Sequence, residues 1–177
     1  MTTNKKLLYI LAIYIIMMVS AAACATPRKT TTLTKIPMSV VPLLTSQVCL
    51  PAAKSWTATW ISSRDSLRQM MSRILSHRIG GTSHKIPSID FTRHGVLAVE
   101  MGVQRTAGYG FDTKSVTAYM ECSSAVVKIV QCRPESGAHT AQVMTSPCIL
   151  LRLPKNAYDI IRVMDQQHNF LTQTLLP

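Results

Sequence analysis

Residues 105–111 read Arg105-Thr106-Ala107-Gly108-Tyr109-Gly110-Phe111. Two glycines around an aromatic residue, with a cation just upstream, allow two readings. A phosphate-cradling loop needs a helix directly after the glycines, so that backbone N–H groups and the helix N-terminus face the anion. The chain instead continues with Phe111, Thr113, Val116, Thr117 and Tyr119, a strand composition, with no Gly-Lys-Ser/Thr. The phosphate reading fails on context. A glycine at 108 or 110 then suits a bulge, a tight bend or the close approach of another backbone.

Reading outward from this stretch, strands dominate. Val96–Met101, 125–130, 148–154 and 157–164 are short apolar or β-branched runs, separated by turn-forming residues. Ile89–Phe91 and Thr57–Ile61 have strand-like residues too. Between the last two lies a helix pattern. Leu67, Met70, Met71, Ile74 and Leu75 fall on one stripe, and Ser62 with Asp65 has capping-box spacing. Gly80-Gly81 stops it. The methionines on that stripe read as core filling. One helix followed by about five to six short strands predicts an α+β domain, the amphipathic helix packed on a mostly antiparallel sheet.

The N-terminus has a different composition. Lys5-Lys6 precede the unbroken apolar run Leu7–Val19, and Ser20-Ala21-Ala22-Ala23-Cys24 comes next. A basic start, an apolar core and small residues make a secretory signal peptide over residues 1–23. The competing reading is an uncleaved anchor, for which the 17 residues from Leu7 to Ala23 are short. Ala21-Ala22-Ala23-Cys24 is similar to a bacterial lipobox, which predicts lipidation of Cys24 and placement at the outer membrane. Ordinary cleavage after Ala23 or Ala25 is the alternative. Residues 24–52, rich in Thr, Pro and Lys, read as a tether, 53–165 as the domain and 166–177 as a polar tail.

Nineteen Lys and Arg against 8 Asp and Glu give a formal charge of +11; losing Lys5 and Lys6 with residues 1–23 leaves +9. No basic run with interleaved aromatics is present, so nucleic acid is not the expected partner. An anionic envelope surface or an acidic protein fits an exported chain better. The helix edge of Arg64, Arg68 and Arg78 reads as a solvated flank rather than a docking stripe.

Beyond Cys24, four cysteines remain: Cys49, Cys122, Cys132 and Cys148. In an oxidising compartment an even number suggests two disulfides, with three possible pairings. If strands 125–132 and 146–153 pair across the 134–142 loop, Cys132 faces Cys148 and a bond is feasible. Elimination then leaves Cys49 with Cys122. The alternatives are buried free thiols, or zinc, for which no C-x-x-C pair exists.

Catalytic patterns are lacking. The histidines His77, His84, His94, His139 and His168 form no H-E-x-x-H, no Gly-x-Ser-x-Gly occurs, and the eight carboxylates are scattered. No cofactor, metal or small-molecule substrate is expected.

Several blocks, taken in order, resemble the C-terminal domain of the PrcB family: 87–91, 96–116, 126–137, 143–155 and 158–165. The residues that carry the resemblance are Asp90-Phe91, Gly102, Arg105-Thr106, Gly108-Tyr109, Thr145-Ser146-Pro147 and Pro154-Lys155. Ala107 stands where the family has the first glycine of a pair. The resemblance spans roughly 56–165. It implies an exported, often lipid-anchored, non-catalytic subunit associated with a secreted bacterial protease. The rival is a protease inhibitor presenting the loop Arg133–His139.

Overall fold

The computed structural model describes residues 34–49, 51–75 and 87–177. The expected signal peptide, the lipidation of Cys24 and the helix stop at Gly80-Gly81 lie outside these residues. So do Arg78, His77 and His84.

The predicted helix-on-one-sheet architecture is corrected. The chain is mostly β, with two sheets and one short helix, α1 (Arg64–Leu75). The five-stranded sheet contains β1 (Ile36–Met38), β5 (Gly110–Glu121), β6 (Ser124–Cys132), β8 (Ile160–Met164) and β9 (Phe170–Leu175), in the order β1-β5-β6-β8-β9. The four-stranded sheet contains β2 (Val41–Ser46), β3 (Thr57–Ile61), β4 (His94–Glu100) and β7 (Cys148–Pro154), in the order β2-β7-β4-β3. All pairs are antiparallel except β6 with β8.

The second sheet arises from the burial demand of β4 and β7. Val96, Leu97, Ala98 and Val99 run without a polar break, as do Ile149, Leu150 and Leu151, and all are at most 1% exposed. A strand apolar on both faces needs a layer on each side. Leu97, Val99, Ile149, Leu151 and Leu153 turn inward to meet Val127, Ile129, Ile161 and Val163 of the five-stranded sheet. Val96, Ala98 and Leu150 turn the other way, against Leu67, Met70, Met71 and Ile74 of α1. The methionines are core filling, as expected. The layers are helix, four-stranded sheet, five-stranded sheet.

Local details differ from the sequence reading in physically clear ways. The helix cap is Ser63, one residue later than expected: its Oγ accepts from Ser66 N at 3.2 Å, and its carbonyl accepts from Leu67 N at 3.1 Å. Arg68 pairs with Asp65 at 2.8 Å across an exposed turn, which is worth little to stability. Ile89–Phe91 is not a strand: a turn follows over residues 91–93, because Asp90 collects the backbone just after it. Strands β1 and β2 lie within the segment 24–52, and β9 within 166–177. Among the described residues no helix is long and apolar enough to cross a membrane.

The expected cysteine pairing is also corrected. Cys49 bonds to Cys148, with Cα atoms 6.1 Å apart, while Cys122 and Cys132 are exposed free thiols. The premise of a β6–β7 hairpin fails, since the two strands belong to different sheets. Cys132 sits opposite Gly110, whereas Cys148 sits between Glu100 and Ser46. Cys122 and Cys132 mark opposite ends of β6, a nine-residue strand about 30 Å long, and cannot reach each other.

Candidate functional site: the two ends of the β4–β7 pair

The singled-out residues gather at opposite ends of β4 and β7, which pair from His94↔Pro154 to Glu100↔Cys148. At the first end are Asp90, Phe91, Pro154 and Lys155. Asp90 Oδ1 accepts from Thr92 Oγ1 at 2.6 Å and Thr92 N at 3.0 Å. Those two bonds, aided by Arg93 and His94, hold its carboxyl below the usual range. Lys155 Nζ donates to the Phe91 carbonyl at 2.7 Å, and Lys155 N to the Arg93 carbonyl at 2.7 Å. Phe91 packs against the helix-side core. Tyr158 donates its hydroxyl to the Pro154 carbonyl at 2.6 Å, and burial pushes its pKa up to about 12. A cavity of about 270 Å³ opens beside this end, lined in part by Trp60, Lys155, Asn156 and Tyr158. The ring of Trp60 occupies the space over Gly95 that a Cβ would need, so this glycine answers to a packing demand.

At the second end are Gly102, Gly108, Tyr109 and Pro147. The Pro147 carbonyl accepts from Met101 N at 2.9 Å. Gly102 has φ +82°, and a Cβ there would stand 2.9 Å from the Cα of Ser55. Gly108 has φ +95°, and a Cβ there would meet Pro134 Cγ at 2.9 Å. Ala107, in place of the family's glycine, is not among the residues with positive φ; the left-handed step is taken by Gly108. Gly110 then opens β5, so residues 105–111 lead into a strand, as their sequence implies.

Around this end the chain forms a ribbon. Gln104 and Thr145 exchange backbone bonds of 2.8 and 2.9 Å, Ala107 N donates to the Ala141 carbonyl at 3.0 Å, and Thr145 Oγ1 donates to the Thr106 carbonyl at 3.2 Å. The ribbon is pinned, yet it leaves Val143 and Met144 56% and 70% exposed, with Val103 and Arg105 beside them. Sequence reasoning missed these apolar residues. Their signal was Val143-Met144 inside an otherwise polar loop.

Glu100 is buried at this end, at 6% exposure, on the helix side of β4. Loss of hydration raises its pKa, opposed by the positive charge of Arg73. A raised folded-state value means that the folded protein holds the proton longer than the unfolded chain. The contribution of Glu100 to stability is then most favourable in acid and falls as pH rises from the ordinary value of 4.5 through the folded value. Relative to Glu100→Gln, the wild type should therefore lose melting temperature across that rise. A gap that stays constant with pH would mean that Glu100 titrates normally.

The side chains of Asp90, Lys155, Tyr158 and Thr145 are thus engaged in fixing the backbone at these two ends. Among the described residues no three His, Cys, Asp or Glu side chains converge as metal ligands. His94 opens β4, and His168 sits in the β8–β9 turn at φ 68°.

This geometry defines a two-sheet domain whose singled-out residues shape surface and turns. Residues 96–154, from β4 through β7, match the family model described as PrcB C-terminal. Over that segment the chain is similar to the C-terminal domain of the PrcB family, in agreement with the resemblance read from its sequence. Gly102, Gly108, Tyr109, Pro147 and Pro154 fall inside the match; Asp90, Phe91 and Lys155 flank it. No curated protein and no solved structure gave a match to this chain.

Proposed function

We propose that this is an exported, lipid-anchored, non-catalytic accessory protein that binds and stabilises an envelope or secreted protease complex. The observation that carries the reading is the match of residues 96–154 to the PrcB C-terminal family. Supporting it are the basic, apolar and small-residue succession of residues 5–24 and the exposed Val143 and Met144 on a pinned ribbon. Exposed apolar groups on a rigid element favour contact with a partner. Cys24 carries the lipid in this reading, on the periplasmic or outer side of a bacterial envelope.

The test is a native pull-down of the tagged full-length chain from its own host in mild detergent, read by mass spectrometry. A stoichiometric protease together with an acylated N-terminal Cys24 peptide is the expected result. An unmodified N-terminus with no partner would overturn the proposal. The loop Arg133–His139 keeps an inhibitor reading open to the same preparation: it is exposed and turns at Gly137, where φ is +83°. An accessory subunit maintains the activity of the captured protease when added back, whereas an inhibitor lowers it.

A further inference from the structure

We propose that the outward face of the five-stranded sheet lies against an anionic lipid surface. This rests on the membrane attachment proposed above. In β8, Ile161 and Val163 turn into the core, so Ile160, Arg162 and Met164 turn outward. The register carries the same face across the sheet. Arg162 stands beside Val126, which is itself fully buried and stands beside Tyr119, so the accessible part of the face is made by the longer side chains around it. Lys128 stands beside Met164, opposite Phe170. Lys35 extends over the Tyr119 ring, 5.0 Å from its centre.

The face therefore combines three cations, Lys35, Lys128 and Arg162, with apolar groups along the β9 rim. None of the three forms an ion pair among the described residues. Phe170 and Leu175 are 57% and 68% exposed. The carboxylates stand at the margins: Glu121 at one end of β5, Asp112, already bonded to Ser115 and Lys114, at the other, and Asp159 and Asp165 just beyond the two ends of β8, Asp165 already bonded to Gln167 and Asn169. Central cations suit lipid phosphates, and rim apolar groups suit the boundary of the acyl chains.

The course of the chain points to the same occupant. Strand β1 is the edge of this sheet, and its first residue, Ile36, comes after the apolar run Leu7–Val19 by 16 intervening residues. A chain of that length spans at most about 60 Å when fully extended. Attachment through the N-terminal segment, or through Cys24, keeps this sheet edge within that distance of the bilayer.

The experiment uses the full-length chain on vesicles of phosphatidylcholine alone and of an equimolar phosphatidylcholine–phosphatidylglycerol mixture. Lysine acetylation is read by mass spectrometry after flotation. Labelling of Lys35 and Lys128 should fall several-fold on the anionic vesicles and recover in high salt, while Lys54 and Lys155 label equally on both. Arg162→Glu with Phe170→Ser should restore labelling of Lys128. A chain that floats with both vesicles yet labels at Lys128 equally on each is attached but does not use this face, which overturns the inference and leaves the attachment standing. A chain that floats with neither overturns the attachment and the inference with it. Protection of Lys128 that requires added host protein assigns the face to an acidic protein and overturns the lipid assignment.

Discussion

Replacing Cys49 and Cys148 together with alanine is expected to lower the unfolding free energy by about 4 kcal/mol. The bond closes a loop across a sequence separation of 99 residues, and long loops gain most from closure in the chain-entropy account. Both residues are only 1% exposed, so alanine avoids burying a hydroxyl without a partner. Around the bond, Cys49 N donates to the Ser146 carbonyl at 2.9 Å, and Ser146 Oγ donates to the Cys49 carbonyl at 3.1 Å. Those contacts use backbone and Ser146 atoms that the substitutions keep, which limits the loss. Denaturant titration of the oxidised wild type against the double variant measures the effect. Cys122→Ala with Cys132→Ala is the control and should change little, because both thiols are exposed. A loss below about 1 kcal/mol in the double variant would contradict the account.

Gly102→Ala should cost about 2–4 kcal/mol, from two separable sources. A side chain at φ +82° is strained in itself, and the new methyl would press on the backbone of Ser55. That backbone cannot retreat freely. Val103 N donates to the Ala53 carbonyl at 3.0 Å, and Trp56 packs edge-on to Phe111 at 6.1 Å. Gly137 supplies the matched comparison. Its φ is +83°, but a Cβ there meets nothing within 4 Å. Gly137→Ala should show the conformational part alone, about 1–2 kcal/mol. Equal losses at the two positions would refute the claim that Gly102 is needed for close backbone approach.

The middle of the domain was legible because its signals are local. The composition after Gly110 marked β5, and the stripe of Leu67, Met70, Met71 and Ile74 marked α1. Membership of a sheet is not local, and there the reading failed. Val96–Val99 and Ile149–Leu151 have no polar alternation, a sign of strands covered on both faces, but nothing nearby in sequence supplies the second cover. Ile36–Met38 and Val41–Ser46 hide in a Thr- and Pro-rich stretch. Pro42 is tolerated because β2 is an edge strand with a register shift beside it. The cysteine pairing failed for the same reason: proximity along the chain suggested a hairpin, and the long loop before β7 carries the chain to the other sheet. Gly102 was found through resemblance alone, whereas Gly108 also read as a bend or close-approach glycine and Asp90 as a turn-bonding residue. The partners that fix those tasks, Thr92, Ser55 and Pro134, became visible only in the structure.

The route of the chain from β6 into the other sheet and back to β8 sets an order of events for folding. Neither sheet can be completed by a contiguous part of the chain: β1 waits for β5, β2 waits for β7, and β6 has its second neighbour only when β8 arrives. Such non-local pairings slow folding. A nascent chain that has not yet delivered residues 148–164 has neither sheet complete, so it stays accessible to chaperones and proteases until nearly all of it is present.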